Sequence, residues 1–208
     1  MKAKNESRCV GCRLSFLCCV LHDRAMHSAP KMGEKTGLIH VYCGDGKGKT
    51  TAAIGLAVRA AGCGLKVAFV QFLKGQQSGE LASFEKLANI TVIREKLSPK
   101  FSFQMNDKEK HETSLVHEQY IKKALELVQD GSCDMLILDE AMGALSCGLL
   151  DEELLKHLVC EKPEQLELIL TGRNPPQWLL DKADYVSEIK KIKHPYDAGI
   201  SARNGIER

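Results

Sequence analysis

Gly44-Asp45-Gly46-Lys47-Gly48-Lys49-Thr50-Thr51 is the stretch whose residue types speak most directly of chemistry. Three glycines in five positions allow backbone conformations closed to residues with a Cβ. Successive N–H groups can then converge on one anion. Lys49 brings a full positive charge to that anion, and Lys47 adds another. The Thr50 hydroxyl is placed to join the coordination shell of a divalent cation, Mg2+ or Mn2+. These are the parts of a phosphate loop for a nucleotide. The usual pattern opens with a glycine where this chain has Cys43, so the loop is a variant. A second candidate is Asp139-Glu140, which closes the apolar run Met135-Leu136-Ile137-Leu138. Carboxylates there can fix a hydrated magnesium ion opposite Thr50, one acid binding the metal while the other orients it or a water. Arg173, just after another apolar run, is a candidate contact for phosphate. Asp181-Lys182-Ala183-Asp184 departs from a guanine-recognition pattern and lies beyond a helix, so it reads as surface charge. No Ser, Cys or His nucleophile constellation is evident.

The flanking residues supply the elements such a loop requires. Leu38–Cys43 is apolar, β-branched and aromatic, and short enough for a buried strand. The helix that starts near Thr50 carries Ile54, Ala57 and Val58 at helical spacing and directs its positive end to the loop. Gly62-Cys63-Gly64 ends it. Further strands are expected at Leu65–Phe72, Ile90–Ile93, Met135–Leu138, Leu166–Leu170 and Tyr185–Ile189. Helices are expected at Glu80–Ala88, Asp107–Gln129, Leu150–Val159 and from Pro175-Pro176 through Leu180. Arg94–Asn106 is irregular, a loop long enough to suggest a function. Strands alternating with helices imply a mostly parallel sheet covered on both faces, hence an α/β, three-layer P-loop NTPase-like (RecA-like) fold. Ligands then sit beyond the carboxyl ends of the strands, where both the loop and Asp139-Glu140 fall.

A formal net charge of +2 implies no general attraction to nucleic acid or membrane, and no apolar run is long enough to span a bilayer. Residues 1–36 read as a basic, Cys-rich, disordered or weakly ordered extension before a domain over residues 37–208. Cys9, Cys12, Cys18 and Cys19, with His22 nearby, could hold zinc or an iron–sulfur cluster, but a matching second half of the spacing is missing. A signal peptide fits poorly, and Met32 is an alternative start. Cys43, Cys63, Cys133, Cys147 and Cys160 read as reduced, mostly buried small hydrophobes in a cytoplasmic protein.

From Gly37 to Glu207 the chain resembles the P-loop corrinoid adenosyltransferases. The resemblance lies in the phosphate loop with its missing early glycine and in Arg59-Ala60-Ala61-Gly62, Val70-Gln71-Phe72-Leu73-Lys74-Gly75, Ile137-Leu138-Asp139-Glu140 and Leu170-Thr171-Gly172-Arg173. It extends to Val186-Ser187-Glu188-Ile189 and the terminal Ile192-Lys193-His194-Pro195-Tyr196-Asp197-Ala198-Gly199-Ile200. It implies that Co(I) of a corrinoid attacks the ribose 5′ carbon of ATP and that triphosphate leaves. It further implies Lys49, Thr50 and Glu140 as the catalytic set, with the metal on Thr50 and Glu140 (Asp139 as the alternative). ATP would lie reversed in the loop relative to ordinary P-loop enzymes. Phe101 and Phe103 would face the corrinoid, and Arg173 would contact phosphate or corrinoid. A homodimer and an electron donor such as a reduced flavoprotein are implied as partners. The alternative function is a P-loop ATPase acting as a regulatory or assembly switch.

Overall fold

The computed structural model describes residues 36–75, 78–95 and 102–207. Cys9, Cys12, Cys18, Cys19, Met32 and Phe101 lie outside the described residues. Six strands form one sheet: β1 (Ile39–Cys43), β2 (Val67–Gln71), β3 (Ile90–Ile93), β4 (Met135–Asp139), β5 (Glu167–Thr171) and β6 (Tyr185–Glu188). Their order is β3-β2-β4-β5-β1-β6, and every neighbouring pair is parallel. The loop strand β1 is thus separated from the acid-bearing strand β4 by β5, the arrangement of a three-layer α/β P-loop fold.

Burial explains why the central segments are strands, while the edge strand β6 is exposed throughout. All five residues of β2 and of β4 are buried, as helices on both faces require. On one face, Ala53, Ala57 and Ala60 of α1 (Lys49–Gly62) pack with Phe69, Ile137 and Ile169. Small side chains at that spacing let the helix lie close to the sheet. Phe84, the last residue of α2 (Gly79–Phe84), meets Phe69 edge-on at 5.0 Å between centroids. On the other face, Tyr120, Ile121 and Ala124 of α3 (Asp107–Gln129) join Leu155, Leu158 and Val159 of α5 (Glu152–Cys160) over Val70, Leu136, Leu138 and Leu170.

Several boundaries follow from local chemistry. The 23-residue α3 starts where expected because Asn106 and Glu109 form a reciprocal capping box, with both bonds at 2.9 Å. Helix α5 starts after Asp151, whose carboxylate accepts from the Leu154 N–H at 2.7 Å. The expected helix Glu80–Ala88 stops at Phe84. A short helix not anticipated from the pattern, α4 (Ala141–Ser146), follows β4 directly, and α6 (Gln177–Lys182) precedes β6. The reading of the cysteines as mostly buried needs correction. Cys43 and Cys133 are buried, but Cys63 and Cys147 are exposed because they lie in the turns that end α1 and α4. No helix among the described residues is long and apolar enough to cross a membrane.

Candidate active site at the carboxyl edge of the sheet

Parallel register brings the polar strand ends into one row. Gln71 of β2 pairs with Asp139 of β4, Leu138 with Leu170, and Tyr42 with Thr171 of β5. Asp139 is fully buried, and its carboxylate collects four donors. Oδ1 accepts from the Thr50 hydroxyl at 2.8 Å and the Thr171 hydroxyl at 2.7 Å. Oδ2 accepts from Gln71 Nε2 at 3.2 Å and Lys74 Nζ at 3.3 Å. A charge this deep is tolerated only when so satisfied. The network extends outward. Gln71 Nε2 also donates to Glu80 Oε1 at 3.0 Å, and Gln71 Oε1 accepts from Arg94 Nη1 at 2.5 Å.

The loop itself is built on backbone freedom. Gly44 and Gly48 take φ of 105° and 127°, values that favour glycine strongly. Gly48 is the N-cap of α1 and offers no side-chain cap, so the first N–H groups of the helix point towards the loop. Lys49 is only 7% exposed; its ammonium turns back to donate to the Gly46 carbonyl at 2.8 Å. Burial makes that ammonium more acidic than an ordinary lysine, and the nearby carboxylate of Glu140 opposes the shift.

Thr50 therefore meets Asp139, while Glu140 lies one residue further on. The Glu140 N–H donates to the Thr171 hydroxyl at 3.0 Å, and its backbone is left-handed at φ 61°. Burial first, and the charge of Asp139 second, raise its pKa above the usual carboxylate range; Lys74, Lys49 and Arg173 pull it back. Among the described residues, the non-glycine residues with positive φ are Leu73, Glu140 and Asn174, each just beyond β2, β4 or β5. Backbone strain is thus gathered around one site. Lys47, Thr51 and Arg173 are exposed at the loop's rim, and the Arg173 charge is felt at Asp45, Lys49 and Glu140. Phe103 sits on a 3₁₀ turn, Ser102–Gln104, and is 80% exposed. That turn is tied to the end of α4, where Cys147 Sγ donates to Ser102 Oγ at 3.4 Å. Arg59 lies in the last turn of α1, about 15 Å along the helix from the loop, too far to reach phosphate there.

Thr50 and Asp139 offer hard oxygens close together at the start of α1. Mg2+ and Mn2+ take one or two protein oxygens and leave the rest of their shell to water and phosphate, so this donor set fits such a cation. The family model described as "ATP:corrinoid adenosyltransferase BtuR/CobO/CobP" matches residues 35–208. The chain belongs to this family. It is 37% identical over 175 residues to "Corrinoid adenosyltransferase" of Escherichia coli K12, covering 84% of this chain and 87% of the relative. A Sinorhizobium protein of the same description is 38% identical over 181 residues, with coverage of 86% and 83%. "Corrinoid adenosyltransferase CobA" of Salmonella typhimurium is 34% identical over 187 residues, with coverage of 89% and 92%.

In this corrinoid adenosyltransferase family member, residue types alone assign no role to Gln71 or Thr171. The available signal is a polar side chain ending an otherwise apolar strand at the edge where the ligand must sit. The terminal His194 lies outside the core and is half-buried: its Nδ1 accepts from the Tyr196 N–H at 3.1 Å, closing the 3₁₀ turn Pro195–Ala198.

Proposed function

We propose that this chain transfers the 5′-deoxyadenosyl group of ATP to the Co(I) centre of a corrinoid and releases triphosphate. The observation that carries this is the meeting of the phosphate loop with the buried carboxylate, through Thr50 and Asp139, in a chain of the corrinoid adenosyltransferase family. Co(I) supplies both electrons of the new cobalt–carbon bond. The C5′–O bond breaks, and its electron pair leaves with the triphosphate oxygen. The nucleophile belongs to the substrate, so the protein's task is to stabilise a departing polyanion. Lys49, Lys47, Arg173 and the first N–H groups of α1 supply positive charge and donors for it. Asp139 aims the Thr50 hydroxyl, and Gln71, Lys74 and Thr171 hold Asp139 in place.

A divalent cation would be held by Thr50 with Asp139 or Glu140, and when bound it supplies charge neutralisation to the phosphates. Phe103, with Phe101, offers an apolar face to the corrinoid. The Co(I) state must come from an electron donor, for which a reduced flavoprotein has suitable chemistry, and the working form is a homodimer.

Anaerobic incubation with ATP, Mg2+ and a Co(I) corrinoid tests the transfer. The expected outcome is the spectrum of an alkylated cobalt together with one triphosphate per product. ADP and phosphate without a cobalt–carbon product would overturn it in favour of an ATPase switch. Lys49→Ala is expected to lower kcat about 10²- to 10³-fold, the worth of one donor aimed at developing charge; full turnover at saturating ATP would sink the cradle.

A further inference from the structure

We propose that the C-terminal segment Ile189–Lys191 is a strap that shapes the phosphate loop, with Asp45 as the positioning residue that holds it there. The proposal rests on the reading that the loop takes the triphosphate of ATP. β6 runs parallel to β1 as far as the pair Cys43 and Glu188, and the ladder continues where the Ile189 N–H donates to the Cys43 carbonyl at 2.8 Å. The chain then crosses the loop instead of leaving it. The Gly46 N–H donates to the Ile189 carbonyl at 2.7 Å. The Lys191 N–H donates to Asp45 Oδ1 at 2.9 Å.

The crossing is close enough to decide residue identity. A Cβ on Gly44 would lie 2.4 Å from the Ile189 oxygen. One on Gly46 would lie 2.8 Å from that oxygen and 2.8 Å from the carbonyl carbon of Lys190. Backbone atoms cannot swing aside as a side chain can. Gly46 has no positive φ, so it is the strap, not the turn, that calls for glycine there. The Gly46 amide is directed to the tail and away from the anion, which leaves the cradle to the amides that follow it. Beyond the strap, Lys191 Nζ pairs with both oxygens of Asp197 at 3.1 Å. With the 3₁₀ turn at Pro195–Ala198, that pair anchors the outer end of the strap. The bond from Lys191 also holds the Asp45 carboxyl below its ordinary pKa, as expected of a fixed acceptor.

The full-length chain is tested as wild type, Asp45→Ala and Asp45→Asn. The readouts are Mg-ATP affinity by titration calorimetry and hydrogen exchange at the Gly46 amide. Asn keeps the Oδ1 acceptor and removes the charge; Ala removes both. Asp45→Ala is expected to weaken binding about three- to tenfold, the range for one lost hydrogen bond, and to speed exchange at Gly46. Asp45→Asn is expected to bind at least as tightly as wild type with Gly46 still protected. Loss of a negative charge beside phosphates would by itself tighten binding, so weakening in the Ala variant has the opposite sign to a charge effect. Equal binding by the two variants, or unchanged exchange in Asp45→Ala, would overturn the strap. Should wild type bind no ATP, the triphosphate reading fails, and exchange at Gly46 still judges the strap.

Discussion

Asp139 marks a closed end, fully buried and holding four donors from β2, β5, α1 and the turn after β2; Phe103 marks an open one, 80% exposed on a three-residue turn. The first end is dry and already organised. A polyanion of fixed shape rewards that, because donors oriented beforehand need no rearrangement when charge develops. The second presents an apolar ring to solvent. In the proposed transfer, the buried end would grip the leaving group and the open face would receive the corrinoid.

The contrast breaks most visibly at the carboxylate. Asp139→Ala leaves the buried Thr171 hydroxyl and one N–H of Gln71, with the half-buried Thr50 hydroxyl, without their acceptor. It is expected to cost about 1–3 kcal/mol of folding stability in urea unfolding, as for buried donors left unsatisfied. A loss below about 1 kcal/mol would mean that this end is not cross-linked as described.

At the open end the expected stability change is small. Phe103→Ala should stay within about 0.5 kcal/mol of wild type, since its ring is largely in solvent. ATP affinity should hold while corrinoid turnover falls about five- to tenfold, the worth of one aromatic contact. Adding Phe101→Ala should deepen the fall. Unchanged turnover in the double variant would remove the corrinoid-facing role.

A pH-dependent effect lies behind the buried end. His117 of α3 is fully buried and meets Phe72, the neighbour of Gln71, edge-on at 5.1 Å. Its Nδ1 faces the Leu149 carbonyl at 2.8 Å and so carries the proton; Nε2 has no hydrogen-bond partner among the described residues. Burial pushes the imidazole's pKa below the ordinary 6.5. The unfolded chain therefore takes up a proton that the fold refuses, and stability falls as pH drops below about 6.5, by at most about 1.4 kcal/mol per pH unit. Thermal unfolding at pH 7.5 and 5.5 should show a larger drop for wild type than for His117→Leu. Equal drops would show that the imidazole titrates freely.

Much of this was legible locally. Gly44–Thr51 between an apolar run and a helical run declares a phosphate loop, because turn, strand and helix are each written in neighbouring residues. Asp139-Glu140 at the end of Met135–Leu138 declares an acid at the same edge. Alternating periodicities declare the parallel, two-sided sheet.

Which acid meets Thr50 was not written there. It depends on the register that sets Gln71 beside Asp139 and on the left-handed turn at Glu140, both settled by packing between distant segments. The same holds for the four donors gathered on one carboxylate and for Ile189 lying on Gly46. Residue types and short spacings determine the elements and the kind of chemistry, because those depend on near neighbours. The partner of each polar group depends on how whole strands align, and only the folded chain decides that.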